Sequence, residues 1–264
     1  MATATIGLLH PGEMGAALAA VLVGRGHTVV WASDGRSAET RRRAEEAGLE
    51  DVSTVAELIG RSDVVLSVCP PHAARDVAES VIGLDGIYVD ANAVAPATAR
   101  DLGATIEAAG AAFVDGGIVG SPPREGGTTR LYLSGERADE VAALFEGTVV
   151  DARVVSAEAG AASAVKVAYA AWTKGTAAML LTIRELARAE DVESALLDEW
   201  RLSIPELPER SERAARSAQA KGWRWIGEME EIAAAFEAHG LPDGFHRAAA
   251  DVYRRAEWRH AARS

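Results

Sequence analysis

Cysteine is almost missing from this chain: Cys69 is the only one among 264 residues, so no disulfide can form within it and nothing implies an oxidising compartment. No apolar run reaches the roughly 18 to 20 residues of a membrane span, and the first residues carry no basic-then-apolar signal segment. A cytoplasmic location is expected. Positive charge is short as well, and a formal net charge of −12 argues against nucleic acid or an anionic membrane as a partner. The six histidines show no ligand-type spacing, so no metal is expected. Internal repeats and low-complexity linkers are absent too.

With 48% hydrophobic and 25% charged residues, the chain can bury one good core or two modest ones. Up to about residue 155, short β-branched runs alternate with helical stretches: Ile6 to Leu9, Thr28 to Ala32, Val64 to Val68, Ile87 to Asp90, Phe113 to Asp115, Leu131 to Leu133 and Val149-Val150. This is the pattern of an α/β domain with a doubly wound sheet. The first strand leads into His10-Pro11-Gly12-Glu13-Met14-Gly15 and then an alanine-rich helix. A glycine turn that opens a helix binds a dinucleotide pyrophosphate, because glycine admits the phosphate to the backbone and the free N–H groups of the first helical turn face it. The usual Gly-x-Gly-x-x-Gly pattern is kept at Gly12 and Gly15, while His10 takes the place of the first glycine.

The pattern changes near residue 156. From Glu158 to about Glu190 there is no proline, and the composition predicts a helix about 45 Å long that a small domain cannot cover alone. The segment Pro205 to Pro208 reads as a helix breaker, followed by amphipathic helices over 216–239 and 244–262. In the first of these, Trp223, Trp225, Ile226, Met229 and Ile232 form an apolar stripe, with Glu228, Glu230 and Glu231 on the outer face. The expectation is a Rossmann-type NADP-binding domain over 1–156 and a small all-α substrate and dimerisation domain over 157–264, the long helix joining them.

Five stretches carry a resemblance: His10 to Gly15, Asp115 to Gly120, Thr129 to Gly135, Lys166 to Gly175 and Arg224 to Ala233. In order and spacing they resemble the β-hydroxyacid dehydrogenase superfamily, which includes 6-phosphogluconate dehydrogenase and the imine reductases. Within it, the chain is most similar to the branch with a C-terminal domain of unknown function. The resemblance implies that Lys166, near the start of the long helix, faces the nicotinamide. There its ammonium can stabilise a developing oxyanion and deliver a proton. The alternative is a lysine that snorkels from an apolar helix. Tyr169 and Thr173 follow three and seven residues on, with Lys174 flanking. Tyr169 stands where 6-phosphogluconate dehydrogenase has a histidine, and Ala170 where hydroxyacid dehydrogenases often have asparagine; Tyr169 is a second candidate acid, or else packs between domains.

Coenzyme choice turns on the end of the second strand, where Ser33, Arg36 and Ser37 suit the 2′-phosphate of NADPH over NADH. Asp34 is the contrary sign, either holding a ribose or lying in a solvated turn. The fourth strand ends in Val68, Cys69 and Pro70, which the resemblance sets beside the nicotinamide ribose, with Asn92 at the next strand end. Cys69 reads as a small filler and not a nucleophile. The resemblance places substrate at Gly117, Ile118, Val119 and Ser121, with Thr173 and Lys174. Val119 occupies the place of a carboxylate-binding serine, so anion recognition falls to Ser121, Arg124 or Arg130.

Three functions remain open at this point. The first is NADPH-dependent reduction of a small-molecule carbonyl with Lys166 as proton donor; the second is imine reduction with Tyr169 as acid. The third is a non-catalytic NADP-binding regulatory protein. A homodimer through the C-terminal helices is expected.

Overall fold

The computed structural model describes residues 3–124 and 129–261, with side chains up to residue 255. It contains two compact units that meet at Lys166 and Val167.

The first unit is built on one eight-stranded sheet. Its strands are β1 (Thr5–Leu8), β2 (Thr28–Trp31), β3 (Glu50–Asp51), β4 (Val64–Ser67), β5 (Ile87–Asp90), β6 (Ala112–Val119), β7 (Thr129–Ser134) and β8 (Val150–Ser156). Their spatial order is β3-β2-β1-β4-β5-β6-β7-β8, parallel throughout except between β6 and β7. The order reverses between β1 and β4, and in doubly wound sheets such a switch point is where ligands lie. Helices α1 (Glu13–Gly24), α2 (Ala38–Glu46), α3 (Val55–Arg61), α4 (Ala74–Glu79), α5 (Pro96–Ala108) and α6 (Ala138–Ala143) connect the strands.

Both faces of the sheet are covered, which is why its central strands read as unbroken apolar runs. On one face Ile6, Leu8, Leu66, Val89 and Val114 pack with Leu18 and Leu22 of α1. On the other, Val30, Val65, Tyr88 and Phe113 pack with Leu58, Leu102 and Ile106. Local capping starts the helices: Thr54 accepts from the Glu57 N–H at 3.1 Å ahead of α3, and Pro96 opens α5 where no intrahelical donor is needed.

Helix α7 (Ala161–Ala189) begins in the first unit and runs into the second, which also contains α8 (Glu193–Ser203), α9 (Leu207–Glu237) and α10 (Gly244–Ala261). Its core is Val167, Ala170, Ala178, Met229, Ile232 and Tyr253. Trp225 meets the Tyr253 ring edge-on at 5.1 Å, and the Tyr253 hydroxyl donates to the Lys174 carbonyl at 2.6 Å.

Three expectations need correction. Pro205 to Pro208 does lie at a break, α8 ending at Ser203, but the next helix, expected from residue 216, already starts at Leu207 with Pro208 in its first turn, where a missing N–H costs nothing. Trp223 is 51% exposed and stands outside the apolar stripe. Glu228 turns inward to pair with Lys174. The short edge strand β3, built from two exposed acidic residues, has no apolar signal to announce it. Among the described residues no helix is long and apolar enough to cross a membrane.

Candidate coenzyme and catalytic site

The glycine turn connects β1 to α1. Gly12 is the N-cap residue of α1, extended at φ −71° and ψ −176°, and no side chain caps the helix. A Cβ placed on Gly12 would have nothing within 4 Å, whereas one on Gly15 would stand 2.6 Å from the His10 carbonyl oxygen and 3.5 Å from Val68 Cβ. Gly15 therefore closes the turn against the end of β4, and Gly12 leaves the helix N-terminus open. Pro11 is buried, Met14 half-buried and Glu13 exposed.

His10 and Arg36, distant in sequence, come together here. Burial, and secondarily the Arg36 charge, lower the His10 pKa to about 4, so the imidazole is neutral at neutral pH. His10 Nδ1 and Arg36 Nε are both buried without a hydrogen-bond partner. Unpaired buried polar atoms are costly, and a bound anionic group satisfies them. With the open N-terminus of α1, these orphaned atoms fit a phosphorylated dinucleotide.

The other coenzyme-reading candidates are partly engaged. Ser33 is buried, its carbonyl accepting from Arg41 Nη2 at 2.8 Å. The Ser37 hydroxyl caps α2, accepting from the Thr40 N–H at 3.2 Å. Asp34 is exposed in its turn. Arg36 is thus the residue of this group that retains an unsatisfied donor.

At the ends of β4 and β5 lies a buried polar network. Asn92 Oδ1 accepts from the Cys69 N–H at 2.5 Å, and Asn92 Nδ2 donates to Asp90 Oδ2 at 2.8 Å and to Ser67 Oγ at 3.1 Å. The Asn92 N–H donates to Asp90 Oδ1 at 3.1 Å. Asn92 therefore fixes the backbone that enters Pro70, which is exposed, after half-buried Val68 and Cys69. Burial pushes the Cys69 thiol up to about 11, which keeps it protonated and poorly nucleophilic. Burial also raises Asp90 to about 7.

Lys166 lies one turn into α7, and its Nζ donates to the Ile118 carbonyl on β6 at 2.7 Å. Desolvation lowers its pKa to about 8. Strand and helix approach closely because Gly117 carries no side chain: a Cβ there would be 2.7 Å from the Ala162 carbonyl oxygen and 3.1 Å from Lys166 Cβ. Ile118 and Val119 are buried, and Ser121 is exposed with its carbonyl taken by the Thr129 hydroxyl at 2.5 Å.

Further along α7, Tyr169 is 47% exposed. The Thr173 hydroxyl donates back to the Tyr169 carbonyl at 3.1 Å. Lys174, expected beside the substrate, is instead ion-paired with Glu228, with both side chains largely buried. Sequence reasoning missed Asp90, and it missed Asp115, Ser134 and Ser163, which hold the start of α7. The one visible hint was the Asp-Gly-Gly that places a carboxylate just before the close approach at Gly117.

Known proteins resemble both parts of the chain. Residues 187–256 match a domain of unknown function, DUF1932. An uncharacterized 28.5 kDa protein in the 7S RNA 5′ region of Methanothermus fervidus is 31% identical over 165 residues, covering 62% of this chain and 63% of that one. The curated relatives are matched over only 22% to 63% of their own length. Among solved structures, the conserved protein MTH1747 of unknown function, described as structurally similar to 3-hydroxyacid dehydrogenases, is 28% identical with a TM-score of 0.72 and 96% of each chain covered. The reductive aminase of Aspergillus terreus, solved with NADPH4, cyclohexanone and allyl amine, shares the fold at a TM-score of 0.63 and 20% identity, covering 98% of this chain and 95% of its own. Residues 3–148, more than half of the chain, match the NAD binding domain of 6-phosphogluconate dehydrogenase, and the protein belongs to that family.

Proposed function

We propose that this protein is an NADPH-dependent oxidoreductase that transfers hydride to the carbonyl of a small molecule, with Lys166 as the proton donor. One observation carries the reading: the Lys166 ammonium sits on the Ile118 carbonyl in a desolvated position with its pKa lowered to about 8. A lysine so tuned is a usable acid near neutral pH, which an ordinary lysine is not.

The nicotinamide, when bound, supplies the hydride. The chain's own residues do the rest. The free N–H groups of the first turn of α1, from Glu13 onward, hold the pyrophosphate, while the Gly12 N–H is kept by the His10 carbonyl, and Arg36 with neutral His10 takes the adenosine phosphate end. Asn92 keeps the Cys69 and Pro70 backbone in place as a wall of the nicotinamide site. As charge develops on the carbonyl oxygen, Lys166 exchanges its bond to Ile118 for one to that oxygen and gives up a proton. Gly117, Ile118, Val119 and Ser121 line the substrate side.

A second reading is favoured by the exposure of Tyr169, whose ring is not packed away. It could serve as the acid toward an imine. Preferred turnover of a cyclic imine, lost in Tyr169→Phe, would establish that chemistry.

The chain is further proposed to act as a homodimer. Exposed Tyr169, Trp172, Met179, Ile183 and Leu186 follow one another at steps of three, seven, four and three residues along α7, a stripe suited to a second copy.

Titration with NADPH and NADH, followed by tryptophan quenching, tests the coenzyme reading, and Lys166→Met tests the chemistry. The expected results are preferential NADPH binding, and turnover reduced by about 1,000-fold in the variant with coenzyme affinity kept. Turnover unchanged in Lys166→Met would remove the lysine from the mechanism. Tight NADPH binding without turnover across carbonyl and imine panels would favour a regulatory protein.

A further inference from the structure

Three features of β6, at positions 115, 117 and 118, engage the first turn and a half of α7. Asp115 is fully buried, and three donors converge on its carboxylate. Oδ1 accepts from the Ser163 hydroxyl at 2.6 Å; Oδ2 accepts from the Ser163 N–H at 2.9 Å and the Ser134 hydroxyl at 3.0 Å. The Ser134 oxygen in turn accepts from the Ala162 N–H at 3.0 Å. Two of the N–H groups that a helix start leaves unsatisfied are thereby satisfied by the sheet, and a carboxylate sits where the helix dipole favours negative charge. Two residues on, Gly117 lets Ala162 and Lys166 come against the strand. One residue further, the Ile118 carbonyl receives the Lys166 ammonium.

We propose that Asp115 is the positioning residue for Lys166: by locking Ser163 and, through Ser134, Ala162 onto β6, it sets the translation and rotation of α7 that bring the lysine Nζ to the Ile118 carbonyl. Ser163 and Lys166 are three residues apart on the helix, so a shift at the first is carried rigidly to the second. Asparagine can keep this arrangement, its amide oxygen accepting from the Ser163 N–H and the Ser134 hydroxyl while its NH2 donates to the Ser163 hydroxyl, so alanine is the substitution that removes the acceptors. The consequence for turnover rests on the reading of Lys166 as proton donor; the positional claim does not.

The chain has three lysines, Lys166, Lys174 and Lys221, so Cε resonances of lysine-labelled full-length protein can be assigned by single substitution. Asp115→Ala and Ser163→Ala are each expected to move the Lys166 titration midpoint upward from about 8 toward the ordinary lysine range, as the ammonium leaves its desolvated place, while Lys174 and Lys221 stay put. In both variants kcat should fall by about 10- to 100-fold with the KM for NADPH within twofold, because a displaced acid affects the transition state and not coenzyme binding. If Asp115→Ala fails to fold, Ser163→Ala, which deletes one hydroxyl, carries the test. An unchanged Lys166 midpoint in a folded variant overturns the proposal. A shifted midpoint in a protein that turns nothing over would uphold the positioning and refute the oxidoreductase reading.

Discussion

Asp90, the last residue of β5, stands opposite Asp115, in the middle of β6, in register and both fully buried, yet they are held in different ways. Asp90 takes both of its donors from one residue, Asn92, and so stabilises a loop. Asp115 takes its donors from β7 and α7 and so ties elements together. Burial is the larger influence at Asp90, where it pushes the carboxyl up to about 7, with the neighbouring Asp115 charge adding to it. Equal burial therefore serves two tasks: Asp90 fixes the loop through Asn92 to the Cys69 backbone, and Asp115 ties β6 to the start of the helix that carries Lys166.

Removing each carboxylate separates these tasks. Asp115→Ala leaves the Ser163 N–H and two hydroxyls without their acceptor in a dry site, and should cost about 3 kcal/mol or more in urea unfolding. A loss below about 1 kcal/mol would mean that water or another group replaces the carboxylate. At Asp90 the expected signature is pH dependence. Because its folded pKa lies above the ordinary carboxyl value, the native state keeps a proton that the unfolded chain releases. The stability this contributes is complete below the ordinary value near pH 4 and is lost as the pH rises through about 7. Asp90→Asn, which stays neutral, should thus gain on the wild type between pH 5 and 8, by an amount on the order of 2 kcal/mol. A difference between the two that does not vary with pH would show that Asp90 is not the titrating group.

Lys166 supplies a matching test of chemistry. If its ammonium is the acid, the reductive rate should decline as the pH rises through about 8, where the protonated form is lost. The reverse, oxidative rate should rise over the same interval. A reductive profile flat from pH 6 to 10, with chemistry rate-limiting, would point away from Lys166.

What was legible in the sequence follows from how local each signal is. The unit β1-turn-α1 announces itself within twenty residues, because strand, glycines and helix are contiguous. Lys166 was found through its apolar neighbourhood and a family resemblance. The partners of Asp115 were not, because Ser134 and Ser163 lie 19 and 48 positions away and nothing local distinguishes a buried carboxylate from a solvated one. Glu228 was misread for the same reason: its partner Lys174 is 54 residues distant, so charge alone suggested an outer face. The start of α9 was expected too late by a different route, since Pro208 reads as part of the break yet proline is favoured in the first turn of a helix.

Two glycines sharpen the contrast between coenzyme binding and helix placement at the smallest chemical scale, a single methyl group. At Gly117 the added Cβ would press on the Ala162 carbonyl, so Gly117→Ala must move β6 and α7 apart, costing about 1 to 3 kcal/mol and loosening Lys166. At Gly12 the methyl would meet no protein atom, and φ −71° suits alanine, so Gly12→Ala should change stability by less than about 0.5 kcal/mol. On the proposed reading the pyrophosphate needs that space at the start of α1, so NADPH affinity should fall by about tenfold or more while the unfolding midpoint stays fixed. Unaltered affinity in Gly12→Ala would mean that the phosphates do not approach this turn, and the binding reading built on His10 and Arg36 would have to move to another part of the sheet edge.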